Sequence, residues 1–505
     1  MRKIIYLLTI ISLTALYGCH KEHSIPSKYV YSKDSLKIFP DYKNIIIPAN
    51  IAPMNFQIIG DAKEVLAEVC AGDINLVITA NSRNEIIFEE KVWKQLIKNE
   101  HGKGINIHIF TKGEKEWIRY EDFKMDVASP IDRYLSYRLI EPGYELYRQM
   151  GLYQRDLESF EVKTIYENNQ VQNTENNHCV NCHNFQNYST DRMLFHVRSA
   201  HGGTVIYNKG KIEKMNLKND SILGPAVYPT WHPKMNRIVF SSNMTGQSFH
   251  MLSKEKVEVV DSESDLIYYD ADRKSIRNIF KTKSCLETFP CWNPEGNKLY
   301  YSAAYLPQLD TISDKQAYAF FLNHFKEIKY DIMSIDFDPE KEIFSNPQVV
   351  VNCSAEEKSA VVPRVSPKGD FLLYTKGDYG QFHIWHKSAD LWVKNLRTGE
   401  EYALAEANSN DVDSYHSWSS NGKWIAFSSR RDDGNFTRIY LTYFDRKGQA
   451  HKAFMIPQER PSDNTLLLKS YNVPELTKEA LKCDENAFRQ VIYNKDAQNV
   501  QYSNR

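Results

Sequence analysis

One pattern recurs four times in the C-terminal two thirds of the chain, and repetition of this kind limits the fold to architectures assembled from copies of a single unit. Pro229-Thr-Trp231-His-Pro233 precedes Arg237-Ile-Val-Phe240-Ser-Ser242, and Pro290-Cys-Trp292-Asn-Pro294-Glu-Gly296 precedes Lys298-Leu-Tyr-Tyr301-Ser302. Pro363-Arg-Val365-Ser-Pro367-Lys-Gly369 precedes Phe371-Leu-Leu-Tyr374-Thr375, and His416-Ser-Trp418-Ser-Ser-Asn-Gly422 precedes Lys423-Trp-Ile-Ala-Phe427-Ser-Ser429. The aligned positions 231, 292, 365 and 418 lie 61, 73 and 53 residues apart. Each copy reads as a strand entering on Pro-x-Trp, a tight turn, a second alternating strand, a charged or glycine-containing loop such as Arg430-Arg-Asp-Asp-Gly434, and a third strand such as Arg438–Tyr443. One such sheet cannot bury both faces alone. Neighbours must stack radially, which is the propeller solution.

Reading backward from the first clear copy, Met193–Arg198 has the form of a second strand, and Gly202–Ile206 that of a loop and third strand. Residues Cys179 to Phe185 then stand where the other units carry Pro-x-Trp. This stretch holds Cys179-x-x-Cys182-His183, two thiols and an adjacent imidazole at the spacing that covalent haem attachment uses. A zinc site would want a fourth ligand at comparable spacing, and no second C-x-x-C or H-x-x-x-H occurs. A redox disulfide would want a βαβ context, which this region lacks. Haem c is therefore the expected cofactor, with a Cys179–Cys182 disulfide as the competing reading. His183 is the expected proximal ligand. Candidates for the second axial position are His196, Met193 and His416, with His196 ranked first because it lies on the second strand of the same unit. The bland readings are Met193 as core filler, His196 as a hydrogen-bonded strand residue and His416 as a satisfied residue at the channel mouth. Trp231, Trp292 and Trp418 read as blade core, and Arg198, Arg430 and Arg431 as solvated charges rather than clamps for haem carboxylates.

The N-terminus has a short basic start, Met1-Arg2-Lys3, an apolar run from Ile4 to Leu16, and Leu16-Tyr17-Gly18-Cys19. The run is about half the ~20 residues that span a bilayer. It reads as a lipoprotein signal with Cys19 as the acylated residue, anchored by lipid alone. The absence of aspartate after Cys19 points to the outer membrane, on its periplasmic or surface face. The body of the chain is globular in composition, with 42% hydrophobic and 12% aromatic residues over 505 positions. A net charge of −1 shows no basic excess, so nucleic acid is not an expected partner. Of the remaining cysteines, Cys285 and Cys291 are spaced to pair, and buried free thiols are the equal alternative.

The expected organisation is a signal at 1–18, a lipid-anchored linker at 19–26, a β-sandwich-like domain at 27–150, a connection at 151–177, a β-propeller of five to six blades at 178–460, and an extension at 461–505. Within the first domain, Pro130 to Ile140 is apolar at near-helical spacing and is expected to be a helical segment. The fold class is all-β.

The repeat units resemble the TolB-type propeller repeat, and the copy at 416–445 matches that pattern best. The chain as a whole resembles a family of TolB-like propeller lipoproteins of the Bacteroidetes. The features that carry this likeness are the lipobox, "IDRYLSYRLIEPGYELYRQMGLYQRDL", Cys179–His183, Phe195-His196-Val-Arg198, Phe382–Leu391 and Ser414–Asn421. Some members of that family are labelled cytochrome c-related. The resemblance implies the fold and an envelope location, and no substrate. The expected function is electron transfer or a haem-bearing component of an envelope complex with a protein partner. The competing class is a non-catalytic TolB-like scaffold. No G-x-S-x-G, H-E-x-x-H or G-x-x-x-x-G-K string occurs, so no enzyme class is assigned. An open sixth position on the iron would permit peroxidase-like chemistry.

Overall fold

Short strands of alternating burial, closed by glycine turns, dominate the chain. In a computed structural model, which describes residues 24–99, 102–141, 149–169, 178–249, 255 and 257–503, they form eight sheets. Six of these are blades of a propeller. Their innermost strands are Ser470–Thr477, His178–Gln186, Ala226–Trp231, Cys285–Trp292, Ser359–Val365 and Asp413–Trp418. Each packs beside the next. Ser470–Thr477 lies between His178–Gln186 and Asp413–Trp418 and closes the ring.

The first blade is a composite. Tyr134–Ile140, Met150–Asp156 and Val162–Glu167 supply its outer strands, and the C-terminal segment Ser470–Thr477 supplies the innermost one, antiparallel to Tyr134–Ile140. This corrects the expected helix: Tyr134–Ile140 is a strand paired on both edges. Leu135 and Leu139 suit a helical face as well as a strand, and pairing with two distant segments decides between them. It also places Tyr134–Ile140, Met150–Asp156, Val162–Glu167 and Ser470–Thr477 within the propeller, whose blade count is six. The tight turns follow the sequence. Gly296, Gly369 and Gly422 adopt φ of +76°, +76° and +65°. At Gly296 a Cβ would stand 2.4 Å from the His232 ring, and the Gly296 carbonyl lies 2.8 Å from His232 Nε2, so this turn locks the third blade to the fourth.

The N-terminal unit holds a seven-stranded sheet, a three-stranded sheet and the helix Glu90–Asn99. Its core runs without a break into the propeller: Ile47, Phe56, Trp93 and Ile107 share one apolar cluster with Trp424 and Leu441 of the sixth blade and with Tyr471 and Leu476 of the closing strand. Hydrogen bonds cross the same boundary, from the Ser420 N–H to Asp132 (2.6 Å) and from Trp424 Nε1 to the Ser129 carbonyl (2.9 Å). Near the C-terminus, Gln498–Asn499 and Gln501–Tyr502 add as parallel edge strands to the second and third blades, covering edges that would otherwise be open to pairing. Among the described residues no helix is long and apolar enough to cross a membrane. Cys19 lies outside the described residues. Cys285 and Cys291 are free thiols.

Two predictions follow from this packing. Leu476 is buried in the shared core, whereas Leu468 just outside the closing strand is exposed. Leu476→Ala should cost about 2–5 kcal/mol in urea unfolding and Leu468→Ala less than about 0.5; equal effects would contradict the composite blade. Glu287, on the inner strand of the fourth blade, has its carboxyl pushed up to about 8 by burial, with Asp265 as a further acidic neighbour. The folded state therefore keeps a proton that the unfolded chain releases near pH 4.5, so this group's stabilisation is full at low pH and lost as pH rises toward 8. Glu287→Gln should melt with wild type at pH 4.5 and above it at pH 8; the opposite order would refute the sign.

A cysteine and histidine wall in the central cavity

Every innermost strand breaks register near its middle, where a non-glycine residue has positive φ, and His178–Gln186 breaks a second time between Phe185 and Gln186. The positive-φ residues are Val473, Cys182, Tyr228, Phe289, Val362 and Tyr415, with φ between +45° and +56°. A left-handed backbone costs an L-residue about 1–2 kcal/mol. Because all six blades bear it, the strain at Cys182 belongs to the fold rather than to the motif. The bulges re-aim side chains at the axis of the propeller. Cys182, Tyr228, Phe289, Tyr415 and Val473 all line a central cavity of about 870 Å³.

The residue after each bulge is Pro474, His183, Pro229, Pro290, Pro363 and His416 in ring order. Four blades carry proline and two carry histidine. Both histidines line the cavity. Their Nε2 atoms are buried and lack a hydrogen-bond partner among the described residues. Burial, reinforced by Arg138 for His183 and by Arg364 for His416, lowers both imidazoles to about 3, so each is neutral with a lone pair to offer. His183 Nε2 is 3.8 Å from Glu475 Oε2, and His416 Nδ1 is 3.4 Å from Thr375 Oγ1. Sequence alignment on the Pro-x-Trp positions carries the signal that pairs His416 with His183, and ranking candidates by closeness along the chain passes over it.

His196 and Met193 are elsewhere. His196 is the cross-strand partner of Asn181, yet its ring lies against Phe240 and its Nδ1 is 2.9 Å from Thr204 Oγ1. Met193 is fully buried among Phe195, Val180 and Phe488. Neither is part of the cavity wall. The structure thus brings together Cys179, Cys182, His183 and His416 and separates the histidine that sequence proximity favours.

Glu475 of the closing strand anchors the motif. Its Oε1 accepts from the Phe185 N–H (2.9 Å) and from Asn184 Nδ2 (3.1 Å), and burial pushes its carboxyl up to about 8. Cys179 and Cys182 are free thiols; Cys179 is buried, which raises its pKa. Four arginines, Arg138, Arg198, Arg364 and Arg430, share the wall. Arg138 donates to the Val180 carbonyl at 3.3 Å, which places it beside the motif strand. Arg430 is buried, stacks 3.4 Å from the Trp385 ring centroid and leaves its Nε without a partner among the described residues. With Glu475 holding its proton at neutral pH, the wall is electropositive. Arg431, by contrast, is committed to Asp413 at 2.7 Å and to the Ala407 carbonyl. Trp231, Trp292 and Trp418 are buried in blade cores at the edge of the cavity.

The donor set fits a large group better than a small ion. Cys179, Cys182 and His183 are not close enough to share one ion; among the described residues that property belongs to Glu68, Cys70 and His108. A cavity of this size lies within the ~300–1,000 Å³ of ligand and cofactor sites, and aromatic walls with a few placed cations and unpartnered nitrogens suit a flat, carboxylate-bearing ring system.

No family model matches the chain, and no curated protein matches it. Among solved structures it is similar to TolB from Acinetobacter baumannii, at 11% identity and a TM-score of 0.43 over 74% of this chain and 79% of that one. Hydrazine synthase of Kuenenia stuttgartiensis is similar at 12% identity and a TM-score of 0.43, over 70% of this chain and 48% of that one. An auxiliary nutrient binding protein from Bacteroides thetaiotaomicron gives 12% identity and a TM-score of 0.35, over 83% and 100%. The six-bladed propeller itself rests on the strand pairing of the blades.

Proposed function

We propose that the chain is a lipid-anchored envelope propeller protein that carries one covalently attached haem c in its central cavity and serves electron transfer, alone or within an envelope complex. The observation that carries this reading is the placement of both thiols and the imidazole of the C-x-x-C-H motif on the wall of one cavity that His416 and four arginines also line. Cys179 and Cys182 would hold the group covalently, and His183 would be its proximal ligand. His416 replaces His196 as the second nitrogen, since it lies on the wall and its Nε2, like that of His183, is buried without a hydrogen-bond partner among the described residues. Arg138, Arg198, Arg364 and Arg430 would neutralise carboxylates. When bound, the haem supplies one-electron chemistry, and two protein ligands on the iron suit electron transfer. The chain's residues hold the group in place, exclude water through Tyr228, Phe289 and Tyr415, and keep both imidazoles deprotonated. Acylation at Cys19 and the outer membrane as its location belong to this proposal.

A second reading, a TolB-like scaffold that binds a small anionic ligand without haem, draws support from the buried Arg430 guanidinium with its unpartnered Nε. One experiment separates the two. Full-length protein made in a host with haem-attachment machinery should show a low-spin haem spectrum. His416→Ala should turn it high-spin and open it to carbon monoxide, and His196→Ala should leave it unchanged. A high-spin wild type, or a response confined to His196→Ala, would reject His416 as ligand; protein without haem under these conditions would favour the scaffold.

A further inference from the structure

The N-terminal sheet carries chemistry that the propeller cavity does not use. Glu64–Ala71 and Gly104–Lys112 pair antiparallel, with Glu68 directly opposite His108. Side chains alternate across the sheet, so Ala67, Val69, Ile107 and Ile109 enter the core while Glu68, Cys70 and His108 share the outward face, all three half-buried. Cys70 is two residues from Glu68 and therefore on the same side. Directly opposed residues bring their Cβ atoms to ~5 Å, and diagonal ones are within reach of long side chains. As a result, one carboxylate oxygen, one thiol sulfur and one ring nitrogen lie within 4.8 Å of one another.

We propose that Glu68, Cys70 and His108 form a binding site for a zinc(II)-like divalent cation with one coordination position left open. The surroundings of His108 support it. Its Nδ1 lies 2.7 Å from Asp122 Oδ1, and Asp122 is gripped by Arg119 at 2.9 and 3.0 Å. Arg119 also approaches Nδ1, at 3.1 Å. A nitrogen cannot accept from the guanidinium while donating to the carboxylate, and the shorter contact assigns the proton to Nδ1. Nε2 is then the lone pair open to an ion. A carboxylate that fixes the tautomer and orientation of a histidine is the usual outer partner of a metal ligand. Arg119 is itself held between Tyr29, Tyr31 and Phe110, so the support is anchored rather than floating. Glu68 Oε1 accepts from Asn75 Nδ2 at 3.1 Å, which orients the carboxylate and leaves Oε2 for the ion.

The donor types choose the ion. A thiolate and an imidazole select zinc over the oxygen-seeking calcium and magnesium, and three protein ligands leave a fourth tetrahedral position for water or an incoming group. Binding converts the Cys70 thiol to a thiolate and releases one proton to solvent, so no oxidant or reductant is consumed. None of these residues lines the propeller cavity, so the site stands or falls independently of the haem.

The test is a competition titration of zinc between the full-length chain and a chromophoric chelator, paired with cobalt(II) substitution to read the thiolate-to-metal absorption band. Wild type should take up one equivalent and show the band. Cys70→Ser should lose the band and, like His108→Ala, bind at least ~10-fold more weakly; Asp122→Asn should weaken binding by ~10-fold or more through His108. The Cys179→Ser/Cys182→Ser double variant should bind as wild type does. Glu68→Gln retains shape and guards against a Cys70→Ser that fails to fold, and it should also weaken binding. Undiminished affinity in Cys70→Ser or in Glu68→Gln, or loss of the ion in the Cys179/Cys182 variant instead, would overturn the assignment.

Discussion

The pairing of Tyr134–Ile140 with Ser470–Thr477 is the interaction on which the rest of the structure depends. A propeller buries its sheets only when the ring is complete, and this ladder completes it by pairing Tyr134 with Thr477, 343 residues further along the chain. Closing so long a loop costs entropy that grows slowly with its length, so a single well-buried strand can offset it. The closing strand does more than shut the ring. Leu476 and Tyr471 enter the core shared with the N-terminal sheets, while Glu475 on the same strand receives the Phe185 N–H and so holds the cysteine and histidine segment in place. Ring closure and site geometry are thus one event.

A second constraint is the sixfold bulge. Cys182 lies at φ +54°, a conformation that in isolation would invite a functional explanation. Tyr228, Phe289, Val362, Tyr415 and Val473 adopt the same conformation at equivalent positions, so the strain is the cost of bending each inner strand around the axis. The chemistry enters through which residues occupy these re-aimed positions. Tyrosine and phenylalanine build apolar wall, proline stiffens the following position in four blades, and His183 and His416 substitute an imidazole there in the other two. Glu475 and Arg364 then stand one position further along their own strands, beside His183 and His416 respectively.

Much of this was legible in the sequence because propeller units announce themselves locally. The turns at Gly296, Gly369 and Gly422, the second and third strands of each copy, and the insertion of Cys179 to Phe185 in place of a Pro-x-Trp strand all follow from patterns within about thirty residues. The composite first blade was not legible. Its strands lack the Pro-x-Trp signature in the outer segment, and Leu135 and Leu139 fit a helical period as well as a strand. The place of His196 was also hidden, because closeness in register to Asn181 says nothing about which face of the blade a side chain takes. His416 was visible only by aligning the position after each bulge, a comparison between blades rather than along the chain. The Glu68, Cys70 and His108 group depends on register between two strands that no motif links.

A haem in the cavity would be fixed by Cys179 and Cys182. The most direct measurement of that attachment is the mass of the denatured chain, and of the peptide spanning residues 178–192, from protein made with haem-attachment machinery and washed in acidified acetone. Both should be heavier by one haem, and Cys182→Ser should remove the two-thioether species. A peptide of unmodified mass, with all haem extracted by the wash, would contradict the attachment.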